Sequence, residues 1–102
     1  MANPTFAIIV RFTLAPGTRE RFLTLVRDNA ATSVRDEPGC HRFDVLVPAA
    51  EDEVALYEIY ADAAAFDIHL ASPHFAAFDR ATRGMVRDKA VTRFSLDAHG
   101  RA

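Results

Sequence analysis

Apolar residues alternate with their neighbours along the first strand-like stretch. Phe6, Ile8, Val10, Phe12 and Leu14 recur at a spacing of two, the period at which side chains share one face of a β-strand. Pro16-Gly17 ends this stretch as a turn. The period then lengthens. Phe22, Leu25, Val26, Asn29, Ser33 and Val34 fall on one face of a helix, with Thr18 expected at its N-cap and Glu20 suited to its positive end. Pro38-Gly39 closes that segment. Residues 41–47 alternate as a second strand, 48–52 supply a hairpin loop, and 54–60 form a third strand. Asp62 is expected to cap a helix whose stripe is Phe66, His69 and Leu70. Ser72-Pro73 restarts a helix, with serine at the N-cap and proline in the first turn. Phe75, Phe78, Thr82, Met85 and Val86 continue along one side. Residues 90–96 are the expected last strand, and 97–102 a loose tail.

Strands and helices in this order predict an α+β fold, a ferredoxin-like split β-α-β sandwich with helices on one face of the sheet. No linker or repeat divides the chain, so residues 1–102 are expected to form one domain with a core over 6–96. The first strand is apolar on both faces, because Ala7 and Ile9 oppose the main set. A sheet covered on one side alternates apolar with polar. In the third strand Leu56 points one way while Tyr57 and Ile59 point the other. A second sheet is therefore expected on the uncovered face, which predicts a homodimer packed sheet to sheet.

Composition narrows the function classes. The chain has 102 residues, half of them hydrophobic and a quarter charged, which is globular composition. A formal charge of −2 gives no broad attraction to nucleic acid or an anionic membrane. Cys40 is the single cysteine, so no intramolecular disulfide or Cys-rich metal cage can form. The N-terminal apolar run is short and lacks a basic leader. The expected location is the cytoplasm.

Polar residues inside apolar stripes are the candidates for chemistry, because burying them costs free energy unless something pairs with them. Asn29 follows Phe22, Leu25 and Val26 on its helix face and offers two donors and an acceptor. An amide bonded to a strand-end backbone group is the alternative. His69 shares its stripe with Phe66 and Leu70, so it aims at the sheet. His74 occupies the second position of a helix, where the dipole disfavours an imidazolium. The two histidines are spaced i, i+5 across a proline, unlike the i, i+4 pair of a helical metal site. No metal site is expected, with Glu58 or Asp44 the only third ligands in prospect. Glu58, on the face of Leu56 and Tyr60, must pair, hydrogen-bond or hold a proton. It could orient a histidine, act as a base, or bridge to an arginine. No P-loop, GxGxxG, GxSxG or HExxH pattern occurs.

The stretches NAATSVRDEPGCHRFDVLV and ALYEIYADAAAFDIHLASPHF resemble the antibiotic biosynthesis monooxygenase (ABM) domain family. That family includes quinol monooxygenases and the isomerase of phosphorylated autoinducer-2. The resemblance covers nearly the whole chain and implies a dimeric α+β barrel of ferredoxin-like protomers. It also implies a cavity between the helices and the sheet, with Asn29, Phe43, Glu58, His69 and His74 at the family's recurrent positions.

The family's oxygenases use neither metal, flavin nor haem, so the resemblance implies no cofactor. Molecular oxygen would be the co-substrate, and the substrate a small electron-rich quinol or aromatic that reduces it. His69 or His74 would accept the substrate proton and Asn29 would hold the developing oxyanion. Phe22, Phe43, Phe66 and Phe75 would wall the pocket from water. The chain lacks tryptophan, which the haem-degrading branch uses. An isomerase of a phosphorylated ketone is the first alternative, with Arg27 and Arg42 as possible phosphate partners. A non-catalytic binding or stress protein is the second.

Overall fold

The computed structural model describes residues 3–100. Its elements run β1 (Phe6–Leu14), α1 (Arg19–Asp36), β2 (Cys40–Leu46), β3 (Glu53–Tyr60), α2 (Ala63–Leu70), α3 (Pro73–Thr82) and β4 (Val86–Ser95). The four strands form one antiparallel-paired sheet in the order β2-β3-β1-β4. This is the ferredoxin-like α+β arrangement the apolar pattern predicts.

β1 has its expected bounds. β4 begins four residues before the expected start, since Leu14 pairs with Val86 and Phe12 with Lys89. The charged run Arg87-Asp88-Lys89 hides that strand from a hydrophobic pattern.

The inner face of the sheet carries Ile8, Val10, Phe12 and Leu14 from β1 with Val54, Leu56 and Tyr60 from β3, all buried against the helices. Phe22 meets Phe12 and Phe78 edge-on, with ring centroids 4.9 and 5.5 Å away. The buried face of α1 is Phe22, Leu23, Val26, Asn29, Ala30 and Ser33. Val34, expected in that stripe, is exposed, and Leu25 is only partly buried. The buried face of α1 is thus turned toward Leu23 and Ala30 and away from Val34.

Thr18 stands at the N-cap of α1 without a side-chain cap bond; its hydroxyl donates to the Ala15 carbonyl at 2.7 Å. The other two caps form as expected. Asp62 accepts from the Ala65 N–H at 2.8 Å, and Ser72 accepts from the Phe75 N–H at 3.2 Å. On the outer face of the sheet, Leu46, Val47 and Phe94 are exposed beside the half-buried Ile9 and Tyr57. No helix among the described residues is long and apolar enough to cross a membrane.

Candidate functional site

The segment Glu37-Pro38-Gly39-Cys40 builds one wall of the site. Proline disfavours the helical conformation in the residue before it. Glu37 accordingly leaves the helix, with φ −101° and ψ 109°. The Cys40 N–H returns to the Glu37 carbonyl at 3.0 Å, closing the turn. Gly39 lets α2 approach: a Cβ there would lie 2.6 Å from that of Ala65. The result turns the Glu37 carboxylate inward against the junction of α2 and α3.

At that junction both histidines meet Glu37. His69 Nδ1 lies 2.8 Å from Glu37 Oε2, and His74 Nε2 lies 2.5 Å from the same oxygen. Ser33 resolves the tautomer of His69. Its hydroxyl proton goes to the Asn29 carbonyl at 2.7 Å, so toward His69 Nδ1, 3.4 Å away, the Ser33 oxygen can only accept. Nδ1 therefore carries the proton and donates to Glu37, which leaves Nε2 free of protein partners among the described residues. The basicity of His69 is lowered by burial, which disfavours the cation, and partly restored by the bond to Glu37. Glu37 Oε1 is buried without a partner among the described residues.

Between helices and sheet lies a cavity of about 40 Å³, lined by Asn29, Phe43, Glu58, Phe66, His69 and Phe75, among others. That volume accommodates water and is well below the roughly 300 Å³ of a drug-sized ligand site. Its rim includes the exposed Leu70 at the end of α2 with Lys89 and Val91 of β4.

Asn29 is 4% exposed, and its side chain makes no hydrogen bond to a described residue; Oδ1 is buried without a partner. A buried unpaired amide oxygen costs about 1–3 kcal/mol, a cost that a hydrogen-bond donor on a bound ligand would remove.

The phenolic hydroxyl of Tyr60 donates to Glu58 Oε1 at 2.6 Å. Burial pushes the Glu58 carboxyl up to about 7, against the opposing pull of that bond and of Lys89. Among the described residues Glu58 thus bonds neither a histidine nor an arginine. The carboxylate that orients the histidines is Glu37.

Six of the eight expected site residues line the cavity: Asn29, Phe43, Glu58, Phe66, His69 and Phe75. Phe22 does not, since it packs behind the cavity wall between Phe12 and Phe78. His74 faces a separate groove between α1 and α3. Its expected environment, a helix end, omitted the carboxylate it touches. Leu70 belongs to the rim and is 41% exposed, not part of a buried stripe.

Two residues escaped the sequence reading. Glu37 gave one signal, its place before Pro38 at the end of an apolar helix. Lys89 supplies the basic group at the cavity, a place that neither Arg27 nor Arg42 occupies. Its Nζ stands 5.6 Å from the ring centroids of both Phe12 and Phe75.

Glu37, His69 and His74 also form a possible cation-binding donor set, with ligand atoms within 4.8 Å of one another. Neither Glu58 nor Asp44 belongs to it. The 2.5 and 2.8 Å separations from one carboxylate oxygen to two ring nitrogens are those of donated hydrogen bonds. Coordination would require both N–H protons to leave and the donor atoms to spread, so the observed arrangement is a hydrogen-bonded chain.

Cys40 is buried, and its thiol is pushed up to about 12 by desolvation and the nearby carboxylates. That makes it a poor nucleophile.

The chain's relatives agree with this architecture. The sequence profile of the antibiotic biosynthesis monooxygenase family matches residues 5–81. None of the curated proteins matches the chain. A solved structure from Bacteroides thetaiotaomicron, assigned to antibiotic biosynthesis monooxygenases, is 25% identical with a TM-score of 0.87, over 97% of this chain and 95% of that one. Rv0793 from Mycobacterium tuberculosis is 28% identical with a TM-score of 0.84, over 95% and 99%. A protein from Nitrosomonas europaea with the same assignment is 22% identical with a TM-score of 0.88, over 95% and 94%, a likeness of fold. The match spans most of the sequence: this chain belongs to the antibiotic biosynthesis monooxygenase family.

Proposed function

We propose that the protein is a cofactor-independent monooxygenase acting on a small quinol or similarly electron-rich aromatic. One observation carries this reading. A histidine held by a carboxylate through Nδ1 has its other nitrogen unpartnered, in an aromatic-walled cavity that also holds an unpaired Asn29 amide. That is the arrangement of a general base with an orienting acid, supplemented by a polar group for the developing anion.

Triplet oxygen reacts with closed-shell molecules through one-electron transfer, and a phenolate is a stronger reductant than a phenol. His69 Nε2 takes the hydroxyl proton, Asn29 binds the resulting oxyanion through its amide N–H groups, and Lys89 contributes positive charge from the rim. The phenylalanines keep water from the radical pair. A quinol and one oxygen molecule yield a hydroxyquinone and one water. The substrate supplies all four electrons, so no separate reductant is consumed. We further infer that the apolar outer face of the sheet pairs with that of a second copy, and that the protein acts in the cytoplasm.

The deciding experiment is oxygen uptake with a panel of hydroquinones in metal-free buffer. The expected result is one oxygen consumed per hydroxyquinone formed. Turnover that persists without oxygen would sink the oxygenase reading in favour of an isomerase of a phosphorylated ketone. Lys89 at the rim is the observation that favours that second reading, as a partner for the phosphate. Ligand binding without product, with or without oxygen, would indicate a non-catalytic binding protein.

A further inference from the structure

The two histidines that share Glu37 belong to different spaces. His69 lines the cavity between helices and sheet, whereas His74 lines a groove between α1 and α3 together with Leu25, Asp28, Thr32 and Ala77. Asn29 and Phe78 border both, so the partition is about one side chain thick. The only polar connection across it among the described residues is the chain His69 Nδ1, Glu37 Oε2, His74 Nε2.

A cavity base needs somewhere to dispose of charge. A proton taken up in a pocket enclosed by apolar side chains leaves a buried cation, which low dielectric disfavours unless a counter-charge is free. Glu37 provides one negative charge for two imidazoles. Their ring centroids are 5.8 Å apart. Two unit charges at that separation oppose each other by about 100-fold in proton affinity at an effective dielectric of about 20. One of the two rings can hold the positive charge comfortably, but not both.

We propose that Glu37 couples the two histidines as a proton exchanger: when His69 takes a proton from a molecule in the cavity, His74 releases one to the outer groove. The step balances without moving the shared hydrogen bonds. The exchange starts with His74 as the imidazolium paired with Glu37 and His69 neutral: the substrate hydroxyl proton adds to His69 Nε2, and the leaving proton departs from His74 Nδ1, the nitrogen not engaged by Glu37. Both N–H bonds to Oε2 stay in place, and the three-residue cluster keeps the same net charge before and after. Reversal returns the proton when product forms.

The inference rests on the role of His69 proposed above and extends it to the route by which the proton reaches solvent. Other ionisable groups around the cluster are Asp36 at the end of α1, Cys40 on β2, Glu58 and Tyr60 on β3, and Lys89 on β4. Lys89 acts through space on His69, and Asp36 interacts with His74, whereas among the described residues Glu37 alone hydrogen-bonds both rings.

The test is a pH titration of the histidine ring nitrogens by ¹⁵N–¹H NMR in the substrate-free protein. In the wild type the rings are expected to titrate in two steps more than one pH unit apart. In His74→Gln the competing cation is gone, and the midpoint of His69 should rise by at least one unit, a tenfold gain in proton affinity. Glu37→Gln should lower that midpoint. A purely structural His74 would leave the His69 midpoint where it was.

The exchanger is overturned by simultaneous titration of both rings in the wild type, or by an unchanged or lowered His69 midpoint in His74→Gln. If His74→Gln does not fold, His74→Asn supplies the same comparison of His69 midpoints. Coupled rings without oxygen uptake would defeat only the oxygenase reading. Normal uptake with uncoupled rings would defeat only the exchanger.

Discussion

Glu37 and His69 stand 32 positions apart in the chain, yet their carboxylate oxygen and ring nitrogen meet at 2.8 Å in the protein interior. The pair sets the tautomer of His69 and directs its free nitrogen to the cavity. Glu37→Gln keeps the shape but offers the ring a neutral partner. Turnover in the oxygen-uptake assay is expected to fall about 100-fold, within the range of general acid–base contributions, with a smaller change in KM. Unaltered kcat would show that the carboxylate does not support the base.

Asn29 sacrifices stability for its position. Asn29→Leu removes a buried unpaired oxygen and improves helix propensity, so unfolding should require about 1–3 kcal/mol more. In a domain of this size each kcal/mol shifts Tm by about 4–8 °C. The same variant should lose at least about tenfold in kcat/KM. A thermal melt and a rate measurement on one preparation check both halves; a destabilised variant would mean that the amide has structural partners.

The Glu58 carboxyl makes stability depend on pH in a fixed direction. Its folded-state value, about 7, lies above the ordinary 4.5. Between these values the folded state binds more protons than the unfolded one, so this group lowers stability as pH rises from about 4.5 to about 7. The full effect is on the order of 3 kcal/mol. Glu58→Gln retains an acceptor for Tyr60 and cannot ionise. It should match the wild type near pH 4 and exceed its stability at pH 8 in denaturant titrations. Equal stabilities at pH 8 would refute the shift.

Gly39 is required for close approach, not for an unusual φ. Gly39→Ala must push Ala65 and the start of α2 away from β2, at a cost of about 1–3 kcal/mol. Because Gly39 is two residues from Glu37, activity should decline as well. A melt unchanged within about 1 °C would contradict this.

The outer face of the sheet is the place to test self-association. Ile9→Glu sets a charge beside Tyr57, its partner in β3. Sedimentation at micromolar concentration is expected to show a dimer for the wild type and a monomer for the variant. A monomeric wild type would remove the dimer from the proposal.

Much of this architecture is legible in the one-dimensional pattern. Alternation in β1 gives its bounds, and the Ser72-Pro73 pair gives the restart of α3. Asn29 and His69, polar residues inside apolar stripes, announce a site because an unpaired polar group is costly to bury. Periodicity, however, reports which residues share a face and not what that face meets. Phe22 and Phe66 look equivalent in sequence, but the angle at which each helix lies on the sheet places one behind the wall and the other in the cavity. Leu70 follows His69 on the same helix and emerges at the rim. Lys89 was hidden because charge interrupts the apolar signal of an edge strand whose pairing is set by β1.

The sequence by itself determined the order of elements, the two-faced sheet and the aromatic lining with its embedded Asn29 and His69, all consequences of local spacing and burial cost. Only the tertiary structure decided that Glu37 joins His69 to His74. Hydrogen bonds between residues 32 and 37 positions apart leave no periodic trace in a chain; they exist because a proline-ended helix and a serine-started helix arrive at the same point in space.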